Sequence, residues 1–290
     1  MKIIPKDKCI FAMGPKATPA LRVSPGEQVQ FETLDAFAGQ ITKPGTGFDG
    51  LDWSRINPAT GPLYIEGAEP GDILSVRIDK IDIAKQGVIV CGKDMGATGA
   101  LLEGYSVKVI PIEGEYAIFS ERVRLPLNKM VGVIGTAPAD EEIPTGSPDY
   151  HGGNMDCKEV KEGVTLLLPV HVPGAMLALG DLHAVMADGE AGISGLEVSG
   201  LVTVTVDVIK GKKLPLPMIE TAEEIMTIAS HKDLDIAVEM AIANMVEYLQ
   251  GKGFDRYDSA MLVSLAGQVC ICQVVDPKKT ARVVFPRRFS

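Results

Sequence analysis

The sequence predicts an α+β protein that is mainly β: antiparallel sandwich-like or barrel-like units followed by a smaller helix-containing C-terminal part. Three observations carry this reading. Period-two alternation recurs through the first three quarters of the chain, Gly and Pro turn signals separate the alternating runs, and a helical period emerges only after Lys213.

Val29, Phe31 and Thr33 alternate with Gln28, Gln30 and Glu32; Leu74, Val76 and Ile78 alternate with Ser75, Arg77 and Asp79. Val202, Val204, Val206 and Val208 alternate in the same way with Thr203, Thr205 and Asp207. A strand that points successive side chains to opposite faces turns such a pattern into one buried and one wet face, the habit of antiparallel sheets. Ser24-Pro25-Gly26, Pro58 to Pro62 and Pro70-Gly71-Asp72 supply turns, among 31 Gly and 19 Pro residues.

Further on, Leu234, Ala237, Val238, Ala241, Ile242, Met245, Tyr248 and Leu249 fall on one helical face, with Asp233 as N-cap and Gly251 as stop. A second short helix is expected over 259–266, before a closing strand over 269–275. The stretch from Leu125 to Pro148, rich in Gly, Pro and polar residues, suggests a boundary near residue 130. It would separate an N-terminal β-rich domain (1–130) from an intimately packed β-rich domain (131–290) that carries the site loops and ends in an α+β segment.

The formal charge of −10, from 38 acidic against 28 basic residues, repels phosphate backbones and anionic membrane surfaces, so neither nucleic acid nor membrane is an expected partner. Charges interrupt every apolar segment near Met1, which points to a cytoplasmic location. Five cysteines without a C-x-x-C pair fit neither a disulfide framework nor a structural zinc site. Cys157 alone lies near promising chemistry, and a thiol nucleophile there ranks below a metal because it needs an oriented base.

Two of four histidines stand among carboxylates in Gly-rich segments: His151-Gly152-Gly153-Asn154-Met155-Asp156, and Gly180-Asp181-Leu182-His183, which runs on to Asp188-Gly189-Glu190. In an extended segment Asp181 and His183 share a face, close enough to bind one ion. Asp188 and Glu190 repeat the spacing and offer further oxygen ligands or an acid/base group. For an isolated Asp-x-His, turn residues and a hydrogen-bonded neutral histidine are the commoner outcome, and Gly-Gly-Asn alone is an ordinary tight turn. The recurrence of the pattern within a short stretch of chain narrows that margin without by itself reversing it.

Together with Glu32-Thr33-Leu34-Asp35, Gln40, Asn57 to Pro62, Glu66 to Asp72, Pro173-Gly174-Ala175 and Glu197, these segments resemble the acetamidase/formamidase family over most of the chain. The resemblance implies hydrolysis of small aliphatic amides, a mostly β fold with added helices, bound metal, and a homodimer or larger homo-oligomer. On that basis Asp156, Asp181 and His183, with His151 as a further candidate, are expected to hold a divalent metal, zinc first and calcium second. Glu190 is the expected base, while Asp35 and Glu197 either orient the amide or join the ligands. The alternatives are another small-molecule metal hydrolase and a non-catalytic β-sandwich binding module with structural calcium.

Overall fold

A computed structural model describes residues 1–43, 45–46 and 50–290 of the chain. The predicted alternating runs form the heart of a nine-stranded sheet. Its order is Lys2–Ile4, Gln28–Thr33, Gly200–Ile209, Ile73–Ile83, Thr165–Pro169, Met218–Glu220, Glu224–His231, Lys279–Pro286 and Gln268–Gln273. Val29, Phe31, Val202, Val204, Leu74 and Val76 point inward and are buried, so the inward face of the sheet is the face the sequence marks as apolar.

A second sheet covers that face. Its central strand, Leu177–His183, is buried at all seven residues, which is why it shows no alternation. On one side it pairs with Met130–Gly135; on the other it pairs with Ala59–Ile65 along its first half and with Glu197–Val198 at its end. Phe31, Leu74 and Val204 from the first sheet and Leu63, Val131, Leu177, Leu179 and Leu182 from the second share one hydrophobic cluster, the interior of the sandwich. The mainly β, α+β expectation therefore holds. Among the described residues, strands pair antiparallel except for Lys2–Ile4 on Gln28–Thr33 and Leu21–Val23 on Ala59–Ile65, and an isolated parallel bridge joins Gly189 to Gln273. Strands from both sides of residue 130 interleave in both sheets.

Two α-helices among the described residues pack on the outer face of the nine-stranded sheet. Helix α1 (Leu234–Gly251) buries Ala241, Met245 and Leu249 against Ile225, Val283 and Phe285. The Asp233 carboxylate accepts from the Asp235 and Ile236 N–H groups at 2.9 and 3.4 Å, the expected cap. Gly251 is the last helical residue, and the left-handed turn that follows belongs to Gly253. Helix α2 (Arg256–Ala266) begins three residues before the predicted start, because Asp255 caps it by accepting from the Asp258 N–H at 2.8 Å.

Candidate active site

Where the central strand of the second sheet passes from one flanking strand to another, Asp181 falls in the gap between the two registers. Its backbone takes a left-handed conformation, φ 55°, and its side chain reaches the same cluster as that of His183. His183 lies directly opposite Glu197 across the antiparallel pair, which places imidazole and carboxylate as cross-strand neighbours. The third segment arrives from Gly152–Asn154, which pairs with Met130–Gly135 and leaves Asp156 donating its N–H to the Gly132 carbonyl at 3.3 Å. The fourth is the turn after His183: Gly189 bonds to Cys272 of the strand Gln268–Gln273 and to Val274 just beyond it, and Glu190 follows at φ 46°. Asp156, at φ 41°, is the third site carboxylate in the sparsely populated left-handed region, a form of backbone strain that collects at functional sites.

His183 is the centre. Its Nε2 lies 3.2 Å from Glu197, 3.6 Å from Asp156 and 3.7 Å from Asp181; its Nδ1 lies 3.9 Å from Glu190 and 3.3 Å from Met186 Sδ. All these side chains are buried. Two glycines make the approach possible: a Cβ on Gly195 would stand 2.5 Å from His183 Nδ1, and one on Gly132 would meet both Asp156 and Asp181.

Burial pushes the Asp156 carboxyl up to about 7 and that of Glu197 up to about 8, the neighbouring Asp181 adding to both and His183 opposing. Glu190 is raised well above the carboxylate range by burial and by Asp156. Burial disfavours the His183 imidazolium, yet Glu197 and Asp181 more than compensate and hold it well above the usual histidine value.

Acceptor oxygens of Asp156, Asp181, Glu190 and Glu197 are buried without a hydrogen-bond partner. A carboxylate oxygen can only be satisfied by a donor or a cation, and several crowded together in a buried cluster call for positive charge. Two sets, Asp156–His183–Glu190 and Asp181–His183–Glu197, each hold their ligand atoms within 4.8 Å of one another. Oxygen donors with one imidazole and no thiolate fit a divalent cation.

The cluster forms the floor of a cavity of about 180 Å³, whose walls include Phe37, Trp53, Val90, Met95 and Ile193. Asn154 lines it too, its Oδ1 buried without a partner.

Other predicted residues sit differently. Asp35, raised by burial and by Asp181, spends Oδ1 on the N–H groups of Phe37 and Gly39 at 2.9 and 3.0 Å. It thereby shapes the turn that brings Phe37 to the cavity. His151 stands apart from both ligand sets. It sits with Tyr150 in the turn closed by the paired backbones of Asp149 and Gly152, and its buried ring lies beside Tyr150, centroids 5.9 Å apart, with His171 on the same tyrosine. Burial lowers its pKa to about 4. Cys157 packs beside Cys272 rather than lining the cavity. Asp188, read in the sequence as a further ligand or acid/base group, instead pairs with Arg282 and Lys158. Sequence reasoning missed Asp276, a nearly buried carboxyl beside Asp156 that lines the cavity and that burial, then Asp156, raises well above its usual value. Its only mark in the sequence is an Asp-Pro step ending the closing strand.

With this geometry in place, comparison with known proteins is informative. The crystal structure of an acetamidase from Bacillus halodurans superposes with a TM-score of 0.97 at 44% identity, covering 99% of this chain and 98% of that one. A formamidase from Methylophilus methylotrophus is 24% identical over 84% of this chain and 79% of its own. A relative from Schizosaccharomyces pombe is 31% identical over 254 residues; the match takes in 65% of this chain and only 61% of the relative's length. Residues 11–145 and 139–288 match the Acetamidase/Formamidase family, and the chain belongs to that family.

Proposed function

We propose that the chain hydrolyses small aliphatic amides, of the formamide and acetamide kind, to a carboxylate and ammonia in this cavity. The observation that carries the reading is the ring of buried, partnerless carboxylate oxygens around His183 on the floor of a cavity only about 180 Å³ in volume. Family membership supports it.

Asp156, Asp181, His183 and Glu197 are the residues that would hold a divalent cation, zinc before calcium because an imidazole among the donors suits zinc and calcium prefers oxygen alone. Bound there, such an ion supplies a lowered pKa for water and a Lewis-acid contact for a carbonyl. Glu190 is the proton carrier. Its burial beside Asp156 raises its affinity for a proton, the property a group needs to take one from an attacking water and return it to the leaving nitrogen. The partnerless Oδ1 of Asn154 is placed to accept from the amide N–H₂. Phe37, Val90, Met95 and Ile193 enclose a short acyl group and keep bulk water out. By the same family resemblance the enzyme is expected to act as a homodimer or larger homo-oligomer.

Ammonia release by Glu190→Gln, which keeps the shape and removes the base, should fall by about a hundredfold or more with folding intact. A fully active Gln variant rejects the assignment.

A further inference from the structure

Among the described residues, one buried cation lies outside the cavity lining. Arg282, on the strand Lys279–Pro286 of the first sheet, is 2% exposed, and its guanidinium forks onto Asp188 at 2.7 and 2.9 Å. Nη1 also lies 3.6 Å from Cys272 Sγ and Nη2 3.8 Å from Glu159, while Asp188 receives Lys158 Nζ at 2.9 Å. Each partner sits just beside a site residue: Asp188 two positions before Glu190, Lys158 two after Asp156, and Cys272 on the strand that runs into Asp276. Between them, Gly189 is tied by its own backbone, its N–H to the Cys272 carbonyl at 2.9 Å and its carbonyl to the Val274 N–H at 3.1 Å.

Stability alone gives a poor account of this arrangement. Burying a guanidinium carries a large desolvation penalty, an apolar residue of similar volume often serves a core as well, and here Nε is left without a partner. What a two-pronged Arg–carboxylate pair does provide is direction, because both N–H···O bonds must be met at once.

We propose that Arg282 and Asp188 are positioning residues, a clamp that fixes the Glu190 turn relative to Asp156 and Asp276. The inference rests on the functional reading above, in which Glu190 and Asp156 serve the reaction and the cation. The clamp touches neither substrate nor cation. It acts through the spacing of groups that do, and partners of that kind typically change affinity or activity by about 10–100-fold when removed.

The test uses Asp188→Asn, which keeps shape and an acceptor, with Arg282→Lys and Arg282→Gln. On acetamide, Asp188→Asn should lose about tenfold or more in kcat with KM held within about twofold, since alignment and not ground-state binding is disturbed. Arg282→Lys should recover part of what Arg282→Gln loses. Zinc affinity of the metal-stripped protein, measured by calorimetry with zinc alone, should fall by about tenfold or more in Asp188→Asn. Wild-type kcat and wild-type zinc affinity in Asp188→Asn, whatever its melting temperature, would overturn the clamp. Should the Arg282 variants fail to fold, Asp188→Asn decides alone. If the parent enzyme releases no ammonia, or Glu190→Gln is fully active, the functional reading fails instead. Zinc calorimetry then still decides the clamp, with unchanged affinity counting against it.

Discussion

Gly132 shows how tightly the candidate site is drawn at the level of single residues. Its Cα lies under two carboxylates, so a methyl group there would stand 2.8 Å from Asp181 Oδ2 and closer still to Asp156. Gly132→Ala should therefore push the two apart: zinc affinity falls by about tenfold or more while far-UV circular dichroism is unchanged, and calorimetry on the metal-stripped variant reads the difference. Asp156, Asp181, His183 and Glu190, which line one cavity, stood out in the sequence because glycines and a second histidine-bearing motif mark their segments, whereas Glu197 came forward only through the family resemblance. Asp276 was not, since nothing around it in Val275-Asp276-Pro277-Lys278 distinguishes a site carboxylate from a turn. His151, in its own Gly-rich segment, was a further candidate. Spacing says nothing about the backbone pairing of Asp149 with Gly152, which sets His151 in a turn apart from both ligand sets.

Among the elements, the strands and α1 were read correctly because their physics is local: period-two alternation with one buried face, period 3.6 with a capping Asp. Asp233→Ala should remove about 1 kcal/mol from stability, visible as a lower urea midpoint at unchanged m-value. Leu177–His183 was harder, since a strand buried on both faces loses its alternation, and only its Asp-x-His ending attracted notice. On the outer face of the first sheet, Asp79 ties three neighbouring strands, accepting from Thr205 Oγ1 at 2.6 Å, Gln28 Nε2 at 3.0 Å and Arg77 Nε at 2.6 Å. Burial pushes its carboxyl up, but Thr205, Gln28 and Arg77 together hold it below the usual aspartate value. A depressed folded pKa gives stability that is present above the unfolded value of about 3.9 and is lost as pH falls through the lower folded one. Asp79→Asn should accordingly flatten the acid limb of a plot of melting temperature against pH between about 5 and 2, leaving the neutral-to-alkaline slope unchanged.

For the molecule as a whole, the sandwich places the site where no single segment could build it. Asp181 and His183 come from the central strand, Glu197 from the strand beside it, Asp156 from the turn after Gly152–Asn154, and Glu190 from a turn docked on the C-terminal strand of the other sheet. The class of fold could be read from patterning alone. The interleaving of strands across residue 130 could not, because sheet order depends on long-range pairing that alternation does not encode. Nor does alternation reveal that the resulting cavity holds more carboxylates than its one imidazole can balance. Those crowded, buried carboxyls, held up in pKa by burial, are what the proposed divalent cation would balance. Ammonia released from acetamide should be followed in freshly purified protein of known metal content, again after exhaustive chelation, and again after zinc is restored. Activity that disappears with the ion and returns with it is the expected result, and full turnover by the metal-free protein would contradict it.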